Sequence, residues 1–127
     1  MDTSAVGRVL LGEPDSAAIL DAIGAYDTRA SSRLLRLELL RLALRHGVVA
    51  DALQLLSGIA LLPVDENTLT SAETIDPSAV ATLDAIHLVT AIRLARAGHV
   101  EAVMTYDRRL AAGVSHHGLA VISPVAP

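Results

Sequence analysis

Residues 83–107 read LDAIHLVTAIRLARAGHVEAVMTYD, and this stretch decides the fold expectation. Leu83, Ile86, Val89, Ile92, Leu94 and Ala95 recur at helical spacing, which predicts a long helix over residues 83–97 ended by Gly98. Val100–Tyr106 then reads as a short buried strand, and Asp107 opens a further short helix over 107–112. A long helix feeding a short apolar strand and then another helix is the repeating unit of an α/β fold. In such folds the sheet is mostly parallel, and ligands sit outside the carboxyl ends of its strands.

Working outward, Ile59–Val64 is a second short apolar run with strand character, followed by a predicted helix over 65–75. Between Arg33 and His46 lie Leu34, Leu35, Leu37, Leu39, Leu40, Leu42 and Leu44, which cover more than one face. That segment predicts a central helix packed on several sides, capped by Ser31 or Ser32 and closed by Gly47. Helices are also expected over 16–24, after Pro14 and Asp15, and over 49–57; strands are expected at Met1–Val6 and 119–122. The predicted order is strand, three helices, strand, two helices, strand, helix, strand, with no repeat or linker, so the 127 residues form one domain around one core.

Composition narrows the function. No uncharged apolar run approaches the roughly 20 residues that span a bilayer, Met1–Ala5 lacks a secretory head, and there is no Cys, so the expectation is a soluble cytoplasmic protein without membrane contact. A formal charge of −4 argues against nucleic-acid binding by a broad basic surface. The ten basic residues are all Arg, in line with a coding bias toward G and C as well as with phosphate contacts. Tyr26 and Tyr106 are the only aromatic residues, too few for a base-stacking platform.

Chemistry is carried by Asp2, Glu38, Asp84 and Asp107. Each alone has an ordinary explanation: a strand-end turn residue, a solvated helix stripe beside Arg41 and Arg45, a first-turn acid favoured by the helix dipole, and a helix cap. Their placement is what stands out. Asp2 and Asp107 fall at expected carboxyl ends of strands, and the other two start or line the flanking helices. Two like charges about 4 Å apart repel by roughly 4 kcal/mol at an effective dielectric near 20, so a converged set opposes folding unless a divalent cation relieves it. Oxygen donors without Cys suit Mg²⁺ or Mn²⁺ and exclude a thiolate zinc site. His87, one helical turn after Asp84, reads more readily as a packing or hydrogen-bonding residue than as a ligand, and His116-His117 as a solvated turn. No Gly-rich phosphate loop and no nucleophile elbow is present.

Four segments together resemble the PIN-domain ribonucleases, and within them the VapC-type toxins of bacterial VapBC toxin-antitoxin pairs. They are Asp2-Thr3-Ser4-Ala5; Ser32 through Glu38-Leu39; Leu83-Asp84-Ala85-Ile86-His87-Leu88-Val89-Thr90-Ala91; and Thr105-Tyr106-Asp107-Arg108-Arg109-Leu110 followed by Gly118–Pro124. The resemblance implies a three-layer α/β/α domain over 1–127 with a short, mostly parallel, four- or five-stranded sheet. It implies Mg²⁺- or Mn²⁺-dependent hydrolysis of RNA, with Asp2 and Asp84 as metal ligands, Asp107 completing the shell and Glu38 holding water. Thr105 and Ser4 become accessory donors. A VapB-type antitoxin, a homodimer and an RNA substrate are the implied partners; Leu10, Leu11, Ile19, Leu20 and Ile23 suit a docking face or the core equally. Family members usually carry several apolar residues before the first aspartate, whereas here Met1 alone precedes Asp2, so the expectation is either a true start upstream or a first strand cut short. Two other readings are a catalytically silent PIN-like binding module and a receiver-like phosphoacceptor domain. The second lacks the lysine that such a domain places beside its phosphate.

Overall fold

The structure, a computed structural model, describes residues 1–127. In chain order it contains α1 (Thr3–Leu10), α2 (Ser16–Gly24), β1 (Ala30–Ser32), α3 (Leu34–His46), α4 (Val49–Leu56), β2 (Ala60–Leu62), α5 (Glu66–Ala72), α6 (Thr82–Arg96), β3 (Ala102–Met104), α7 (Arg108–His116) and β4 (Ala120–Ile122). The fold is of the α/β class, with short parallel strands held among helices. No helix is long and apolar enough to cross a membrane.

The strands form two parallel pairs. β1 lies beside β2, with Ala30 opposite Ala60 and Ser32 opposite Leu62. β3 lies beside β4, with Ala102 opposite Ala120 and Met104 opposite Ile122. Met1 and Asp2 bridge the pairs: the Met1 ammonium donates to the Ala30 carbonyl at 3.0 Å, and the Asp2 N–H donates to the Met104 carbonyl at 3.2 Å. These two extended residues stand where the expected strand Met1–Val6 lies in the sequence reading. The chain turns helical at once because the Asp2 side chain caps α1, accepting from the Ala5 N–H. Above the bridge a cavity of about 210 Å³ separates the half-sheets, lined on one side by Ala30–Ser32 and on the other by Ala102–Met104.

One further expectation shifts. Ser31 and Ser32 belong to β1 rather than capping α3, whose N-cap is Arg33 and has no side-chain hydrogen bond. Three residues of low strand propensity gave no periodic signal, and β1 exists because β2 and the Met1 ammonium pair with it. His116 ends α7 on the exposed surface, and His117 caps it in the turn that follows, where its Nε2 contacts the Asp76 carbonyl at 2.6 Å.

Packing fixes the helices on either side. One cluster joins Val80, Ala85, Leu88, Ile92, Val103, Leu110 and Val114, seating α6 and α7 on β3. A second joins Val6 to Leu35, Leu39, Ala43, Ala52 and Leu56, seating α1, α3 and α4 together. A third links Ala5, Ile19 and Met104 across the bridge. α6 and α7 approach so closely at Gly113 that a β-carbon there falls 2.7 Å from Val80 Cγ2 and 3.2 Å from Leu88 Cδ2. In an isolated helix Gly→Ala gains about 1 kcal/mol. In this contact the stiff β-branched Val80 cannot swing away, so Gly113→Ala is expected to destabilise by about 1–3 kcal/mol, read as a lower urea midpoint with unchanged m-value.

Candidate active site

Asp2 is the anchor of the site. It is 3% exposed, and both carboxylate oxygens are engaged: Oδ1 accepts from the Ser4 hydroxyl at 2.7 Å and the Ala5 N–H at 3.3 Å, and Oδ2 accepts from the Thr105 hydroxyl at 2.7 Å. A carboxylate this deep is tolerable only with such donors around it. Thr105 is itself fully buried just after β3, so its hydroxyl ties the end of that strand to the start of α1. The Ser4 hydroxyl lies 3.3 Å from that of Thr105 and accepts the Tyr106 N–H at 2.8 Å.

Asp107 follows on the same turn. Its N–H donates to the Thr105 hydroxyl at 3.1 Å, and its Oδ1 accepts the Leu110 N–H at 2.9 Å, capping α7 as the sequence predicts. Asp84 enters from the first turn of α6 and takes part in none of the hydrogen bonds that hold its neighbours. Burial, and next the negative charges of Asp107 and Asp2, push its carboxyl up to about 6; Glu38 adds to this and His87 opposes it. Asp84 therefore lies within electrostatic reach of the other three acids, near the carboxyl ends of β1 and β3 where the α/β rule places a ligand cleft.

Glu38 reaches the cleft from α3. Its Oε1 accepts from the Thr3 hydroxyl at 2.8 Å and meets His87 Nε2 at 2.8 Å. Burial disfavours its ionised form, but hydrogen bonds from His87 and Thr3 outweigh this and hold the carboxyl below its ordinary value. Arg41 and Arg45 make no ion pair with it. His87, 7% exposed, also contacts the Ser32 hydroxyl through Nδ1 at 3.0 Å. Thr3 and Ser32 are the participants that the sequence reading passed over. Thr3 stands between Asp2 and Ser4 with no local signal of a role, and Ser32 occupies a position where the sequence predicts a helix cap.

The donor set is all oxygen and carries excess negative charge, which suits a hard divalent cation rather than zinc. No three His, Asp or Glu side chains stand in a ready ligating arrangement. Asp84, half-buried and unrestrained by hydrogen bonds, is the side chain freest to swing toward Asp2 and Asp107. The cavity between the half-sheets borders the site, being lined by Asp2, Ser32 and His87 but by none of the other three acids.

A carboxyl raised in the folded protein from 3.8 to about 6 binds more protons folded than unfolded in that window. The stability it contributes as a neutral group is present at low pH and is lost as pH rises through about 6. In metal-free buffer Asp84→Asn is thus expected to raise the melting temperature above about pH 6, with the gain vanishing below pH 3.8. A thermal melting series across pH checks this.

The sequence comparisons agree with this architecture. The PIN domain model matches residues 1–113. Ribonuclease VapC47 of Mycobacterium tuberculosis (strain CDC 1551 / Oshkosh) is 37% identical over an alignment of 133 residues, covering 99% of this chain and 96% of that protein. Ribonuclease VapC46 of Mycobacterium tuberculosis (strain ATCC 25618 / H37Rv) is 36% identical over 126 residues, covering 98% of this chain and 95% of that protein. No solved structure matches. With a domain match over most of its length and two full-length relatives, the chain belongs to the PIN-domain family, alongside its VapC-type members.

Proposed function

We propose that this protein is an endoribonuclease dependent on Mg²⁺ or Mn²⁺ and the toxin of a type II toxin-antitoxin pair. The observation that carries the reading is the gathering of acids around Asp84, where burial first, and then the charges of Asp107, Asp2 and Glu38, push its carboxyl up to about 6. The relatives named as ribonucleases support the substrate class.

In this reading Asp2 and Asp84 hold the cation and Asp107 completes its surroundings. When bound, a divalent cation supplies Lewis acidity at the phosphate and a more acidic water. Asp2 contributes orientation: with Ser4, Ala5 and Thr105 all donating to it, its carboxylate cannot rotate as substrate enters. Glu38, ionised and fixed by Thr3 and His87, positions the attacking water and accepts its proton. Attack at phosphorus breaks the bond to the 3′-oxygen, leaving a 3′-hydroxyl and a 5′-phosphate. Arg108 and Arg109, exposed beside Asp107, offer cationic contacts to the RNA backbone.

A VapB-type antitoxin and a second copy of the chain are the proposed partners, acting in the cytoplasm. Leu11 and Leu20 remain exposed while Ile19 is buried, so part of the apolar face of α1 and α2 is open to a partner.

The purified protein is expected to cleave RNA with Mg²⁺ or Mn²⁺ and to stop on chelation. Asp84→Asn is expected to lower the rate by roughly a hundredfold or more, since a charge aimed at the reacting centre is lost. Sequencing of RNA ends after expression, beside that variant, reads activity and substrate together. Cleavage that survives Asp84→Asn rejects the assignment, and a wild-type protein that cuts no RNA favours a silent binding module.

A further inference from the structure

We propose that Ser32 and His87 form a positioning relay that orients the Glu38 carboxylate, fixing Oε1 so that Oε2 is the oxygen presented to the cleft. The kinetic part of this inference rests on the nuclease reading above. Three elements contribute: Ser32 at the carboxyl end of β1, His87 in α6 and Glu38 in α3. Ser32 Oγ lies 3.0 Å from His87 Nδ1, and His87 Nε2 lies 2.8 Å from Glu38 Oε1.

The direction of the chain follows from what each group can do. An ionised carboxylate only accepts, so the Nε2 proton must sit between His87 and Glu38. A neutral imidazole with its proton on Nε2 has an acceptor at Nδ1, and the Ser32 hydroxyl is there to donate to it. Ser32 is 1% exposed, and this is its hydroxyl's one hydrogen bond, so the strand end selects the tautomer that the helix needs. Thr3 donates to the same oxygen, Oε1, at 2.8 Å. Two donors from different elements converge on one oxygen and none engages the other, an arrangement that sets carboxylate orientation as well as position.

The test uses the full chain, Mn²⁺ and a pool of end-labelled short RNAs of random sequence. His87→Leu is expected to lower kcat by roughly 10- to 100-fold with KM little changed, the range seen when a partner supporting a site residue is removed. His87→Gln keeps an amide donor for Oε1 and is expected to recover most of the loss. Ser32→Ala cuts the relay at its other end, so it is expected to lower kcat even if His87→Leu fails to fold. In a Glu38→Ala background the His87→Leu loss is expected to disappear, because the relay acts only through that carboxylate. Losses that add in full, or a His87→Leu enzyme with unchanged kcat, overturn the proposal. Nitrogen-15 NMR of the histidine rings gives a readout independent of activity. A proton on Nε2 of His87, shifting to a mixed tautomer in Ser32→Ala, supports the relay, and a proton on Nδ1 overturns it. If the wild-type chain cuts no RNA, the nuclease reading fails and the NMR result alone decides the relay.

Discussion

The buried carboxylate of Asp2 is the constraint on which the rest of the structure turns. An ionisable group at 3% exposure is stable only where its lone pairs are filled, and the fold fills them from both sides. Ser4 and the Ala5 N–H come from α1, and Thr105 comes from the end of β3. The same residue caps α1 through its side chain and joins the half-sheet of β3 through its backbone. With Met1 held by Ala30 on the other side, these two residues carry the connection between β1 and β3 at the point where the cleft opens.

From that anchor the electrostatics follow. α1, α3, α6 and the turn into α7 each deliver one acid or its support. The packing clusters that seat those helices leave little freedom to relieve the repulsion by moving backbone. Asp84, which lacks hydrogen-bond donors, is pushed up to about 6 by burial first and by its acidic neighbours second, while hydrogen bonds from His87 and Thr3 hold the Glu38 carboxyl below its ordinary value. The two carboxyls shift in opposite directions because their surroundings differ, one desolvated among like charges and one supplied with donors.

Much of the framework was legible in the residues. α3, α4, α6 and the strand–acid–helix unit at Val103–Leu110 appear within a few residues of where periodicity and caps place them, because their apolar faces are long enough to bury a core. The short pieces were not legible. β1 has three residues with no alternation to read, and Met1–Val6 was taken for a strand although Asp2 starts a helix after two residues. Both depend on partners from distant parts of the chain, and local propensity carries no record of them.

The site divides along the same line. By themselves the residues determined that Asp84 would start a helix and Asp107 would follow a strand, with oxygen donors alone and no thiol, and which family those motifs resemble. They also fixed Asp107 as a cap, since the hydrogen bond to Leu110 spans three residues of one turn. Only the tertiary structure decided that Asp2 is fastened by Thr105, 103 positions away, that Glu38 turns from its arginine neighbours to Thr3 and His87, and that Ser32 faces His87 rather than capping a helix. Side-chain hydrogen bonds of a few ångströms between segments far apart in the chain follow from how helices seat on strands, and that geometry is set by the whole core at once.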